Sequence, residues 1–102
     1  TAADNAGALA LVNELRTARA AAPMTAMSLV NPNNVADPHT LLAERGRELY
    51  WEIVRRTDLI RFGVFMKPWA LKPASDAAHL VFPIPSTALA ANPNLKQNPG
   101  YN

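Results

Sequence analysis

The stretch that decides the fold is DPHTLLAERGRELYWEIVRRTDLIRFG, residues 37–63. Asp37 is typical of an N-cap, and Pro38 of the first helical position, where its missing backbone donor is harmless. Gly63 stands where a left-handed residue commonly ends a helix. The stretch therefore predicts one long helix over residues 37–62. Its predicted apolar stripe consists of Leu42, Leu49, Ile53, Leu59 and Ile60.

The residues on either side predict a second helix and an irregular tail. Alanine and leucine at three- and four-residue spacing predict a helix over residues 4–22, ended by Pro23. Residues 23–36 have no clear period and several asparagines, so we expect a loop. Six prolines follow residue 63 and exclude another long helix. Residues 63–102 should therefore form an irregular tail, with a short extended segment at His79–Ile84.

The fold class that these elements predict is mainly α, an antiparallel helix pair followed by the tail. Such a pair is the unit of helical solenoids, and one unit cannot bury its apolar faces alone. Apolar residues make up 49% of the chain, but much of this fraction is alanine, which contributes little burial. We therefore expect uncovered apolar surface unless another part of a parent protein, or a second copy, covers it.

Composition also excludes several classes of function. A net charge of +2 is too small for a domain built to hold nucleic acid. The absence of cysteine excludes disulfides and thiolate metal sites. No segment within the chain has the length and hydropathy of a membrane span, so we expect no anchor within it. No cofactor is predicted.

Charged side chains are densest in the predicted long helix. Glu44, Glu48 and Glu52 recur at four-residue spacing and would share one face. Glu48 and Glu52 are candidates for the acid and base of a glycoside hydrolase, but that pair normally faces across a cleft. An ion-pair network is the favoured interpretation, and three carboxylates without a histidine match no common metal site. The predicted structural ion-pair residues are Glu48, Glu52, Arg45, Arg55 and Arg56.

Aromatic and histidine side chains offer weaker candidates. His39 and His79 have no serine and acid at the spacing of a catalytic triad. Residues 82–85, FPIP, could dock in an aromatic groove, but a rigid connector is favoured. Four residues could stack on a sugar ring, although packing in a core is the more common role of such side chains. They are Trp51, Trp69, Tyr50 and Tyr101.

Two segments resemble a known family. Residues 41–63, LLAERGRELYWEIVRRTDLIRFG, resemble the signature helix near the C-terminus of SusD/RagB proteins. Residues 82–101, FPIPSTALAANPNLKQNPGY, are similar to the closing segment of that family, with its proline-flanked strand, asparagine-proline turn and terminal tyrosine. An earlier family helix is matched by Asn13, Arg16, Arg19 and Ala20.

The resemblance implies a surface lipoprotein of the outer membrane in Bacteroidetes-type bacteria, lipid-anchored in its full-length form. Such a protein binds oligosaccharides or other nutrients and caps a SusC-like, TonB-dependent transporter without catalysing a reaction. Its fold is largely helical, with tetratricopeptide-like helix pairs. Residues 1–102 would then be a C-terminal scaffold segment, and because the family's ligand contacts lie mostly elsewhere, no ligand-binding residue is assigned.

The chain departs from the family pattern at one place. The family usually has glycine directly after the glutamate that corresponds to Glu52, often followed by a polar residue, whereas this chain has Ile53 and Val54. Two β-branched residues there predict altered packing against a neighbouring helix. A free-standing helical module that recognises a protein partner is the alternative function.

Overall fold

The computed structural model describes residues 2–31 and 33–101, and the side chains of residues 5–31 and 33–101. Its described part is mainly helical, as predicted, and contains isolated bridges but no sheet. The elements in chain order are α1 (Ala2–Ala18), α2 (Leu41–Glu48), α3 (Arg55–Arg61), a 3₁₀ helix (Ala77–Leu80) and α4 (Ser86–Ala91).

Helix α1 ends four residues earlier than predicted, at Ala18 and not at Ala22. Ala20 takes a left-handed conformation with a φ of 54°. The Ala21 N–H then donates to the Arg16 carbonyl at 2.8 Å, which closes a Schellman motif. The end of α1 is therefore set by local backbone bonding before Pro23 is reached.

The single helix predicted for residues 37–62 is wrong, because α2 and α3 are separate helices. Thr40 is the true N-cap of α2, and its hydroxyl accepts from the Ala43 N–H at 3.0 Å. Asp37 instead accepts from the His39 N–H at 2.9 Å and caps the turn before the helix. Helix α2 is thus capped by Thr40, three residues after Asp37.

The predicted left-handed residue at the end of α3 is confirmed. Gly63 has a φ of 70°, and its N–H donates to the Ile60 carbonyl at 2.9 Å. The Val64 N–H donates to the Leu59 carbonyl, also at 2.9 Å. This Schellman motif turns the chain so that Val64 points back into the core beside Leu59.

The tail is irregular as predicted, but its short elements differ in detail. The 3₁₀ helix occupies the start of the predicted extended segment, and extended backbone begins at Val81. Asp76 caps this 3₁₀ helix by accepting from the Ala78 N–H at 2.8 Å. Six residues, Ser86–Ala91, form α4, and its N-cap is Pro85, which has no side-chain acceptor.

The hydrophobic core is small and lies where α2 packs on α3. Leu42, Leu59 and Val64 are 1%, 6% and 2% exposed, so each is withdrawn from water almost completely. The partly buried residues around them are Val30, Val35, Phe62, Phe65 and Trp69. Trp69, a candidate for sugar stacking, therefore packs against the core.

The chain is more extended than a self-contained domain of its size. Its radius of gyration is 18.2 Å, whereas about 13 Å is typical of a compact chain of this length. Its accessible surface is 7529 Å², against roughly 5,600 Å² for a compact monomer of this mass. Large apolar residues exposed by more than two-thirds are Leu11, Tyr50, Trp51, Ile53, Leu71 and Phe82. Apolar surface is thus left in solvent, as predicted.

Candidate functional site

The segment between α2 and α3, residues 49–54, forms a protruding loop that we call the aromatic loop. Trp51 and Ile53 both take left-handed conformations, with φ of 70° and 61°. A β-branched residue such as isoleucine rarely takes this conformation, because its branched Cβ crowds the backbone. These two residues end α2 and reverse the chain into α3, which explains why the predicted helix is broken.

The aromatic loop presents its large side chains to solvent. Tyr50 is 73% exposed, Trp51 83% and Ile53 95%. The two aromatic rings meet edge to face, with centroids 5.9 Å apart. Such a cluster of exposed apolar side chains marks a surface that binds another molecule or another part of the same protein.

A groove of about 600 Å³ runs beside the aromatic loop. Its walls come from α2, the aromatic loop, the start of α3 and residues 35–38. Most of the lining is apolar, and its charged members include Arg45 and Asp58. The groove can therefore accept an apolar side chain or ring along its wall, beside a paired charge.

Arg45 and Asp58 form the most buried ion pair between α2 and α3. The Asp58 carboxylate is almost fully buried and accepts from Arg45 Nε at 2.8 Å and from Nη2 at 3.0 Å. This fork-to-fork geometry fixes both side chains and is stronger than a single contact. The pair therefore sets the angle at which α3 returns onto α2.

Arg55 makes the second connection between these helices. Its Nη1 donates to the Leu42 carbonyl at 2.7 Å, and the guanidinium lies directly over Gly46. A Cβ at Gly46 would lie 2.7 Å from that nitrogen, so the Arg55 guanidinium would have to shift to admit a larger residue there. Burial lowers the pKa of Arg55, and the charge of Asp58 opposes the shift.

Helix α1 is joined to α2 through carboxylates on α2. Arg16 Nη1 lies 2.8 Å from Glu44 Oε2, and Arg47 bonds to the same oxygen. Arg19 holds both oxygens of Glu48, with Nε at 3.1 Å from Oε2. Carboxylates four residues apart on α2 therefore match two arginines three residues apart, Arg16 in the last turn of α1 and Arg19 directly after it.

Of the predicted ion-pair residues, Arg45 and Glu48 form ion pairs, but with partners outside the predicted set. Arg45 bonds to Asp58, and Glu48 bonds to Arg19, whereas the expected pairs joined Glu48 and Glu52 to Arg45, Arg55 or Arg56. Arg56 donates to the His79 carbonyl, and Arg55 to that of Leu42. Glu52 is exposed on the aromatic loop and takes part in no ion pair among the described residues.

The sequence interpretation missed the partners Arg16, Arg19 and Asp58. The matched spacing of arginines on α1 and glutamates on α2 was a usable signal for the first two. Asp58 was not recognised as the partner of Arg45, because one continuous helix was predicted and a straight helix cannot bring residue 58 back to residue 45.

The charge on Glu44 is stabilised in the folded chain. Burial alone raises the pKa of Glu44, but hydrogen bonds from Arg47 and Arg16 outweigh it, and the pKa lies below its ordinary value of 4.5. A carboxylate whose pKa is lowered by folding contributes stability above its unfolded pKa and loses it as the pH falls through the folded pKa.

We expect Glu44→Gln to flatten the acid limb of the stability curve. In the unchanged chain, the urea midpoint should fall as the pH drops below 4.5, and in the variant this fall should be smaller. Glu48→Gln is the matched control, because its pair with Arg19 is more exposed and contributes less. Equal acid limbs in the Glu44 variant and the unchanged chain would contradict the assignment.

The arrangement of carboxylates gives no support to hydrolysis. Glu48 is engaged by Arg19, and Glu52 lies on the aromatic loop after the end of α2. Groups of histidine and acidic residues that could hold a metal ion are not found among the described residues. His39 and His79 are both exposed.

Helices long and apolar enough to cross a membrane are likewise not found in the described part of the chain.

The sequence places this fold in a family. Residues 1–78 match the SusD family, SusD/RagB, and the chain belongs to it. Over a 70-residue alignment it is 39% identical to the starch-binding protein SusD of Bacteroides thetaiotaomicron. That alignment covers 60% of this chain, and the chain spans 13% of the length of that relative.

The left-handed conformation of Ile53 is compatible with the glycine of the family pattern. The residue that the family pattern gives as glycine is Ile53 here, and its φ of 61° is one that glycine adopts without strain. The Ile53 side chain is 95% exposed within this chain, so its predicted effect on packing against a neighbouring helix stays a prediction. Val54 has an ordinary φ of −91° and is half-buried at the start of α3.

Proposed function

We propose that this chain is the C-terminal scaffold segment of a cell-surface, nutrient-binding lipoprotein of the SusD type. In this proposal the full-length protein binds an oligosaccharide and delivers it to a SusC-like, TonB-dependent transporter in the outer membrane. The chain's own role is architectural, and the function is binding without catalysis. Membership of the SusD family and the likeness to a starch-binding relative support the proposal.

The observation that carries the architectural role is the uncovered apolar surface. An accessible surface of 7529 Å² exceeds that of a compact monomer of this mass by roughly 1,900 Å². A standard protein interface buries about 800 Å² on each partner, so this excess is more than one side of such an interface requires. The aromatic loop and its groove are the parts of this surface where we expect the rest of the parent protein to pack.

Ligand capture is tested by isothermal titration of the full-length protein with malto-oligosaccharides, the ligand class suggested by the relative's name. We expect heat of binding from the full-length protein and none from this chain alone. Trp51→Ala should leave the affinity unchanged, because the aromatic loop is a packing surface in this proposal. Binding by the isolated chain that is lost in Trp51→Ala would place the ligand at the aromatic loop and contradict the scaffold role.

The transporter is tested by chemical cross-linking of outer membranes that contain the full-length protein. The proposal predicts that a TonB-dependent transporter is recovered with it. If the lipoprotein is recovered but no TonB-dependent transporter is cross-linked to it, the proposed partnership with the transporter is contradicted.

The groove beside the aromatic loop supports one alternative, a free-standing module that recognises a protein partner. That alternative requires the isolated chain to be monomeric and folded without any other segment. Light scattering and circular dichroism on the isolated chain distinguish the two functions, because uncovered apolar surface predicts self-association.

A further inference from the structure

Residues 77–101, which we call the strap, close on themselves. The Gln97 side chain accepts from the Ile84 N–H at 2.8 Å and donates to its carbonyl at 3.0 Å. The Asn98 amide donates to the Phe82 carbonyl at 2.7 Å, and the Tyr101 hydroxyl to the Val81 carbonyl at 2.9 Å. Three side chains thus replace the backbone ladder that a second strand would supply.

Prolines and a glycine make this closure specific. Pro83 and Pro85 have no N–H, so a backbone ladder along this segment would lack donors. At Gly100, which has a φ of 87°, a Cβ would lie 2.3 Å from the Ala78 Cβ. The two ends of the strap therefore meet as closely as the chain allows.

The strap is attached to the helical body mainly through one residue. Arg56 on α3 donates from Nη2 to the His79 carbonyl at 2.8 Å. Its guanidinium lies 4.2 Å from the ring centroid of Phe82 in the strap and 5.1 Å from that of Phe65 in the body. The other described hydrogen bonds between the strap and the rest of the chain are accepted by the adjacent Asp76.

The hydrophobic core does not hold the strap in place. None of the residues in the core cluster, or packed against it, belongs to residues 77–101. The 3₁₀ helix and α4 contain no buried residue. Leaving the body therefore costs the strap little apolar burial.

We propose that Arg56 is a latch, and that the strap is a folded unit which can leave the body when this latch opens while the α2–α3 core stays intact. The planar guanidinium suits this role, because it can stack between two rings and still donate a hydrogen bond at its edge. Lysine has a point charge and cannot make both contacts in this geometry.

The latch is tested by measuring one distance between the body and the strap. The chain has no cysteine, so Thr57→Cys on α3 and Ala90→Cys on α4 give two unique sites for nitroxide labels. Both residues are exposed. The labelled chain is diluted into an excess of unlabelled chain, so that only distances within one chain are measured. Double electron–electron resonance then measures the distribution of distances between the two labels. It is measured in the chain that carries only the two cysteine substitutions, and in the same chain with Arg56→Ala, Arg56→Lys or Arg61→Ala added.

Arg61 is the matched control, because it is an exposed arginine on the same helix without a described hydrogen bond or ion pair. We expect one narrow distribution of label-to-label distances in the chain that keeps Arg56, and the same distribution in Arg61→Ala. In Arg56→Ala and Arg56→Lys it should be replaced by a broad distribution. Three results would overturn the latch. They are a broad distribution when Arg56 is unchanged, a narrow distribution in Arg56→Ala, and equal broadening in Arg61→Ala.

A second measurement tests whether the strap leaves as a folded unit. Hydrogen exchange at the Ile84 amide reports the bond to Gln97. In Arg56→Ala we expect the protection of the Ile84 amide to be retained, together with that of the Phe62 amide, which donates to the Asp58 carbonyl at the end of α3. Loss of protection at Ile84 together with detachment would overturn the strap as a self-contained unit, because the strap would then unfold as it detaches.

Discussion

Replacing Asp58 with asparagine is expected to lower the free energy of unfolding by about 3 kcal/mol. The Asp58 carboxylate is 3% exposed and accepts two hydrogen bonds from Arg45. Asparagine has nearly the same shape and keeps one acceptor oxygen, but its amide NH2 would face one of the two guanidinium N–H groups that now donate to Asp58. One arginine charge would then be left without a counter-charge at the α2–α3 contact.

Urea unfolding followed by ellipticity measures this loss. Glu52→Gln is the matched control, since Glu52 is exposed on the aromatic loop, and the unfolding midpoint should move little. Exchanging both partners, Arg45→Met with Asp58→Leu, should cost less than Asp58→Asn, because neither change leaves a lone charge. A midpoint for Asp58→Asn that equals that of Glu52→Gln would refute this account of the pair.

Replacing Ile53 with glycine is expected to raise the free energy of unfolding by about 1 kcal/mol. Ile53 has a φ of 61°, which crowds its branched Cβ against the backbone. Its side chain is 95% exposed, so removing it sacrifices almost no burial within this chain. The greater freedom of glycine in the unfolded chain offsets part of the gain.

Val54→Gly is the matched control for that substitution. It removes a similar side chain at the next position, but Val54 has a φ of −91° and is half-buried. We expect this change to lower stability, while Ile53→Gly raises it with an unchanged dependence on urea concentration. Destabilisation by both changes would contradict the explanation based on backbone strain.

The class of fold and the end of α3 could be predicted because their signals are local. Prolines exclude a long helix wherever they stand, and Gly63 adopts the left-handed φ that a Schellman motif requires. The family resemblance also rested on local segments, and it agrees with the family assignment.

The break between α2 and α3 could not be predicted from local signals. Residues 49–54, LYWEIV, contain no glycine or proline, and nothing in their propensities stops a helix. The break is stabilised by contacts distant in sequence, namely Arg45 with Asp58 and Arg55 over Gly46. Only the family's usual glycine at the position of Ile53 pointed to it, and the sequence analysis connected that glycine with helix packing and not with the left-handed φ of 61° that Ile53 adopts.

The candidate site was predicted in kind but not in its pairs. Mixed charges indicated an ion-pair network that ties the helix to its neighbours, and such a network exists, but its pairs are Arg16 with Glu44, Arg19 with Glu48 and Arg45 with Asp58. Which arginine meets which carboxylate depends on how the chain folds back. That geometry follows from the break and from the early end of α1, neither of which the sequence reveals by period alone.

We expect the rest of a SusD-type protein to cover the apolar surface of this chain. The most direct test mixes the purified chain with the separately expressed remainder of the full-length protein and measures mass by size-exclusion chromatography with light scattering. We predict a one-to-one complex that unfolds in a single transition, and weaker association for Trp51→Glu in the aromatic loop. A chain that stays a folded monomer and does not associate with the remainder would contradict the claim.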